Sequence, residues 1–395
     1  MVLEFCEEVL DVKMDMEKEA KHYGKRIVYI RASSIYNDSR ATKEINALYE
    51  AGYRVTVLGW NRDGKGIDKC KTLFANKNIR VELFNNNAEN GIGGKNSYKL
   101  IVWTAWLRVQ LHKLKGEIDI IHMCDFDSAI GAFHYARKHT IKTVYDIYDY
   151  YADAHNIPGF MIKTIMNAEN NIINRSDLVI ICTEERVRQI KDTNPRKLIV
   201  IHNTPEIVQD NKSIHSHECD YDYVYCGSLC DKRLIEEILV EYKNHNNLKM
   251  CFAGYGEYSD IANKISKESN NLTFLGSIPY SEVLNLEKKS KVLSAIYDPH
   301  YRNHQLCAPN KFYEAMALGI PIIVCKGTGI DKVVQKEKIG LVINYDAKQF
   351  YEAIEYLLHH YDEAIEMGKK AKEIYNKKYN WQIMKQRLLQ SYDEL

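Results

Sequence analysis

Short runs of β-branched and other apolar residues alternate with helix-length amphipathic stretches along most of this chain. The runs at 26–33, 54–60, 79–84, 119–124, 143–149, 178–183 and 198–203 read as strands buried on both faces. Between them lie segments such as 41–53, where Ile45, Leu48 and Tyr49 share one helical face. A polar stretch rich in Asn, Asp, Ser and His (204–222) breaks the rhythm, which resumes with strand-like runs at 223–228, 248–254, 272–277, 291–297, 320–325 and 340–345. A single helix over 348–377 and a tail with its own apolar stripe (379–392) close the sequence.

Strand–helix–strand repetition predicts an α/β fold with parallel, doubly wound sheets. At 395 residues the chain exceeds one core, so two such domains are expected. The expected boundaries are a leader (1–24), a first Rossmann-like domain (25–206), a linker (207–222), a second Rossmann-like domain (223–377) and a C-terminal helix (378–395) packing back on the first domain. Two sheets of this kind would face each other across a cleft and bind ligands beyond the carboxyl ends of their strands.

Composition narrows the function. With 54 basic against 53 acidic residues the net charge is +1, so no global field favours nucleic acid, and any anion site must be local. The ten cysteines are scattered rather than regularly spaced, as in a reduced cytoplasmic protein. His215, His217 and Cys219, followed by Cys226 and Cys230, lack a tight pair of ligands, and no metal is expected. Neither an apolar span of membrane length nor a secretory signal is present in this sequence, which places the protein in the cytoplasm.

Local chemistry concentrates in the second domain. In "YCGSLCDKRLIEEIL" a glycine follows a strand, and Lys232 and Arg233 are read as opening the next helix. Backbone amides can approach a phosphate there, although any tight turn also favours glycine. "AGYGEY" (253–258) has two glycines after a strand, to admit a nucleobase edge or merely to turn. "NKFYEAMALGIPIIV" (310–324) starts a short helix with Asn310 and Lys311, places Glu314 a turn later, and stops at Gly319 and Pro321. A helix tip with a lysine suits an anionic ligand, and Glu314 suits ribose hydroxyls.

Taken in order, "YCGSL…KRLIEEIL", "AGYGEY", "LTFLGSIPYSEV", "KFYEAMALGIPIIV" and "GTGIDKVVQKEKIGLVI" resemble the donor domain of retaining glycosyltransferases of family four, which have the GT-B fold. "NDSRATKEINALYEAGYRVTVLGWNRDG", "DIIHMCDFDSAIGAFHYARK" and "VYDIYDYYAD" are similar to the first domain of that family. The resemblance implies a nucleoside-diphosphate sugar as co-substrate, no cofactor or metal, and a glycan or lipid-linked acceptor. Carried over by position, Lys232, Arg233 and Lys311 would grip the diphosphate, Glu314 and Asn310 would serve the nucleoside side, Gly227 and Ser228 would close on the phosphates, and Gly254 and Gly256 would border the base.

The expected catalytic groups are Arg233, Lys311 and Glu314 together with Asp125 of the first domain, where Asp125 and Asp149 stand in for polar residues facing the sugar and His122, Cys124 and Arg40 lie on the sugar or acceptor side. Three positions depart from the pattern: Leu306 and Asp331 stand where glutamates are usual, and Cys124 where a histidine is. His122 also reads as a hydrogen-bonded histidine at a strand end. The helix around 95–116, with Tyr98, Ile101, Trp103, Trp106 and Leu107 beside Lys95, Lys99, Arg108, Lys113 and Lys115, suits either an anionic membrane surface on the inner face or ordinary packing on the sheet. The apolar stretch 158–166 carries the same ambiguity. The leading expectation is thus a retaining transferase for surface glycan or glycolipid synthesis. A catalytically idle GT-B protein and a sugar-nucleotide 2-epimerase are the alternatives, since fold alone does not fix chemistry.

Overall fold

A computed structural model describes residues 24–62, 64, 66–87, 97–207 and 219–395. The leader up to residue 23, Lys95, His215, His217 and most of the expected linker lie outside the described residues. The chain divides into two compact units, one running to Ile201 and including Met384–Leu395, the other spanning His202–Ile383.

In the first unit seven parallel strands form one sheet: β1 (Arg26–Arg31), β2 (Arg54–Asn61), β3 (Arg80–Asn85), β4 (Ile120–Cys124), β5 (Lys142–Ile147), β6 (Leu178–Ile181) and β7 (Leu198–Val200). Their order is β3-β2-β1-β4-β5-β6-β7, so the winding reverses between β1 and β4. β4 is buried along its whole length, as the unbroken apolar run requires of a central parallel strand. Trp60, Trp103 and Phe133 pack on one side of this sheet with Ile172 and Ile173.

The second unit repeats the plan with β8 (Tyr221–Ser228), β9 (Met250–Tyr255), β10 (Leu272–Phe274), β11 (Ser290–Ala295), β12 (Ile322–Cys325) and β13 (Gly340–Ile343). Its order, β10-β9-β8-β11-β12-β13, reverses between β8 and β11. Its core gathers Tyr223, Phe252, Phe350 and Tyr351, and burying side chains of this size stabilises by about 1.5–3 kcal/mol each. In doubly wound sheets the reversal is where a ligand meets the carboxyl ends of the strands.

Two elements differ from the sequence reading. The long helix expected over 348–377 is two helices, Ala347–His359 and Tyr361–Ile374, broken at His360, whose backbone leaves the helical region. The helix expected to open at Lys232 begins instead at Ile235. Lys232 and Leu234 both take left-handed backbone conformations, φ 71° and 60°, so Lys232 and Arg233 belong to a tight loop.

Candidate functional site

The second unit's site is built from two strand ends and one helix start. Gly227 on β8 pairs with Gly254 on β9, one register step before both strands end. A Cβ at Gly254 would fall 1.8 Å from the carbonyl oxygen of Gly227, so only glycine lets the two backbones meet. Past this crossing Tyr225 donates its hydroxyl to the carbonyl of Ser228 at 2.9 Å, fixing the loop that follows.

Three cations converge on this loop, each resting on a tyrosine ring. Lys232 Nζ lies 3.8 Å from the ring centre of Tyr301, Arg233 Cζ 3.6 Å from that of Tyr297, and Lys311 Nζ 4.8 Å from that of Tyr225. The rings hold the charges in place without neutralising them, whereas a carboxylate would do both. Nη1 of Arg233 is buried with no hydrogen-bond partner. A buried, unmatched guanidinium hydrogen is costly unless a ligand oxygen meets it.

Lys311 sits in the first turn of the helix Asn310–Leu318, which starts after Pro309 and stops at Gly319 in a left-handed conformation, φ 73°. Asn310 is exposed at the tip, and Glu314 is 2 % exposed in the second turn. Glu314 Oε1 accepts from the Tyr280 hydroxyl at 3.0 Å, a bond that ties the helix Tyr280–Glu287 to the helix of Lys311. At the far end of that second helix Glu287 is buried with Oε2 unmatched. Burial, reinforced by the charge of Glu314, keeps its carboxyl protonated well above the usual range. Asp331 accepts from the amide of Gly327 at 2.7 Å and so braces its own loop. Gly256 lies beyond Gly254, where a Cβ would meet the carbonyl of Leu229.

In the first unit a buried polar network occupies the sheet around β4 and β5. Arg40 gives Nη2 to Asp146 at 2.6 Å and Nη1 to the Ile201 carbonyl at 2.6 Å, with Glu44 3.1 Å from its Nε. His122, fully buried, stacks on Tyr29 and shares a 2.6 Å hydrogen bond through Nδ1 with the Tyr392 hydroxyl. Burial pushes the imidazole pKa down and the Glu44 carboxyl up to about 8. Cys124 is fully buried as well, and burial pushes its thiol up.

These placements correct the sequence reading. Arg40, His122 and Cys124 hold the unit together from within and present no face to a sugar. Asp125, expected among the catalytic groups, has both oxygens engaged: Oδ2 pairs with Arg31, and Oδ1 accepts from the amides of Tyr148 at 2.8 Å and Asp149 at 3.2 Å. Its backbone is left-handed, φ 60°, a conformation aspartate tolerates, and it clamps the ends of β1, β4 and β5 together. Burial raises its pKa to about 6 even so. Asp149 is half exposed and accepts from Arg186 at 2.9 Å.

His122, Cys124 and Asp146 also form a group whose ligand atoms lie within 4.8 Å of one another, as a metal would need. Arg40 already contacts both oxygens of Asp146, and its guanidinium repels a second cation there. The apolar stretches near 97–113 and 158–166 are split between core and surface. Trp103 and Leu107 are buried, whereas Tyr98, Ile101, Phe160 and Met161 are exposed, Phe160 by 85 %. No helix of the described residues is long and apolar enough to cross a membrane.

Sequence reasoning missed Tyr225, Tyr297 and Tyr301 beneath the cations, Tyr280 on Glu314, and Tyr392 on His122. Of these, Tyr280 lies within "LTFLGSIPYSEV" and Tyr225 just before the first glycine loop, yet neither string says what its tyrosine touches.

Comparison with known proteins follows the division into units. Residues 41–204 match the family described as Glycosyltransferase Family 4, and residues 213–374 match Glycosyl transferases group 1. Spore coat protein SA of Bacillus subtilis (strain 168) is 27% identical over 160 residues, which cover 38% of this chain and 42% of that protein. The chain thus spans about two fifths of this curated relative. Among solved structures, sucrose-phosphate synthase from Thermosynechococcus elongatus aligns with a TM-score of 0.69 at 16% identity, covering 94% of this chain and 98% of that one. Anabaena Alr3699/HepE in complex with UDP-glucose aligns at 0.67 and 15%, covering 94% and 100%. The fold is therefore that of the GT-B transferases.

Proposed function

The chain belongs to the group 1 glycosyltransferases, and on that premise we propose that it moves a sugar from a nucleoside-diphosphate sugar to a glycan or lipid-linked acceptor with retention at the anomeric carbon. The second unit takes the donor. The observation that carries this is the buried, unmatched Nη1 of Arg233, set with Lys232 and Lys311 around the Gly227–Gly254 crossing. The UDP-glucose complex of a protein with the same fold supports the donor class.

In this reading the bond between the anomeric carbon and the diphosphate oxygen breaks while the acceptor oxygen bonds to the same face of that carbon. The electron pair leaves with the diphosphate, whose growing charge is met by Arg233, Lys232 and Lys311. The acceptor's proton passes to the departing phosphate oxygen. Three protein cations supply the neutralisation that a metal gives elsewhere, so chelation with EDTA is expected to leave turnover intact. Glu314, braced by Tyr280, serves the ribose.

Exposed Tyr98, Ile101, Phe160 and Met161, near Lys99 and Lys163, support contact with the surface of an anionic membrane in work on a lipid-linked acceptor. Co-sedimentation with phosphatidylglycerol vesicles, compared with a Phe160→Ser variant, tests that contact. The transfer reading is tested by assaying UDP-, GDP-, ADP- and TDP-sugars for hydrolysis or transfer. Turnover lost in Glu314→Ala supports it; tight nucleotide binding without turnover favours an idle protein, and an epimerised donor favours the epimerase.

A further inference from the structure

Beyond the first unit's buried network, the carboxyl ends of four adjacent strands, β2-β1-β4-β5, bring together groups that the transfer chemistry leaves unused. Arg62 follows β2, Asp127 follows β4, and Tyr151 follows β5, on either side of the reversal between β1 and β4 where such sheets take ligands. Asp127 is held firmly. Its carbonyl accepts from Trp103 Nε1 at 3.0 Å, and the next residue, Ser128, accepts from the amide of Ala32 at 3.1 Å.

Arg62 lies flat on Trp60, its Cζ 4.4 Å from the ring centre, and donates Nη2 to the Ala32 carbonyl at 2.6 Å. Tyr151 neighbours Asp127 and stacks on His155, with ring centres 4.1 Å apart and planes 19° apart. Oδ1 of Asp127 is buried and accepts no hydrogen bond from the protein. A largely buried carboxylate with one oxygen unmatched wants a donor, and a sugar hydroxyl is one.

Resting on the transfer reading, we propose that Asp127, Arg62 and the Tyr151–His155 stack form the acceptor's terminal sugar subsite, with Oδ1 of Asp127 accepting a ring hydroxyl. The stack offers the apolar platform that a pyranose face needs. Asp127 acts here in binding and takes no part in bond breaking.

Saturation-transfer NMR on the full chain tests the subsite with octyl glycosides of glucose, galactose, mannose and N-acetylglucosamine as probes. Ring protons of at least one glycoside should take saturation from the wild type, with affinity about tenfold or more weaker in Asp127→Ala, the loss of a hydrogen bond to a charged group. The isosteric Asp127→Asn keeps the fold, and a weaker response in it too ties the effect to the carboxylate. No bound glycoside in the wild type, or equal binding by both variants, overturns the subsite. Donor hydrolysis by the wild type judges the transfer reading separately, so the two can fail independently.

Discussion

Gly227 lies directly beneath Lys311: a Cβ built at 227 would fall 2.7 Å from the lysine Nζ and 3.1 Å from its Cε. The next-to-last residue of β8 is therefore a glycine for two reasons, its own φ of 154° and the room it leaves for the cation that follows 84 residues later in the chain.

Alanine at these strand ends should distinguish the two reasons. Gly227→Ala meets the far end of a flexible side chain, so it costs backbone strain of about 1–3 kcal/mol and pushes Lys311 off the loop. Gly254→Ala meets the carbonyl of Gly227 at 1.8 Å and must force β8 and β9 away from each other. Thermal melting should show the larger fall for Gly254→Ala, while Gly227→Ala keeps the fold and raises the donor KM.

Tyr280 donates its hydroxyl to Glu314 at 3.0 Å, from one helix to the next. Tyr280→Phe is expected to loosen Glu314 and raise the donor KM by roughly fivefold to tenfold, the worth of about 1–1.5 kcal/mol. Steady-state kinetics check this; an unchanged KM with reduced stability would make Tyr280 a packing residue only.

Glu169 gives the first unit a pH dependence. Buried, and accepting from the Tyr145 hydroxyl at 2.8 Å, it has its pKa raised by burial from the ordinary 4.5 to about 8. Between those values the folded chain holds a proton that the unfolded chain has lost, so stability falls as pH rises through this window. Its contribution is complete below about 4.5 and is lost by about 8. Glu169→Gln removes this dependence, so its melting-temperature advantage over the wild type should grow from pH 5 to pH 9.

Tyr392 belongs to the C-terminal stretch that is part of the first unit, where Lys385 also pairs with Glu50 at 2.7 Å and Arg387 donates to the Val200 carbonyl at 2.6 Å. Tyr392→Phe strips His122 Nδ1 of its partner in a fully buried place. The expected cost is about 1–3 kcal/mol, a fall of several degrees in melting temperature.

The strands are legible because parallel strands buried on both faces read as unbroken apolar runs, and the thirteen among the described residues lie where those runs predict. The helix at Asn310 is legible from its glycine stop, since only the left-handed turn at Gly319 ends it there. The ion-holding tyrosines are not, because Tyr225 lies on β8 while Tyr297 and Tyr301 share the loop after β11, and only folding brings each under its cation. The burial of His122 is equally hidden: it lies in the middle of β4 rather than at a strand end, and the hydroxyl that covers it comes from a residue 270 positions later. Asp125 misled for a related reason. A carboxylate after a central strand looks catalytic until Arg31 and two amides are found on it.

Isothermal titration of UDP, GDP, ADP and TDP into the wild type, Arg233→Ala and Lys311→Ala tests the phosphate cradle most directly. One of these nucleotides should bind the wild type, and each substitution should weaken it by roughly 10- to 100-fold, as expected for a charged hydrogen bond. A nucleotide that binds all three proteins equally well would contradict the cradle and the donor assignment built on it.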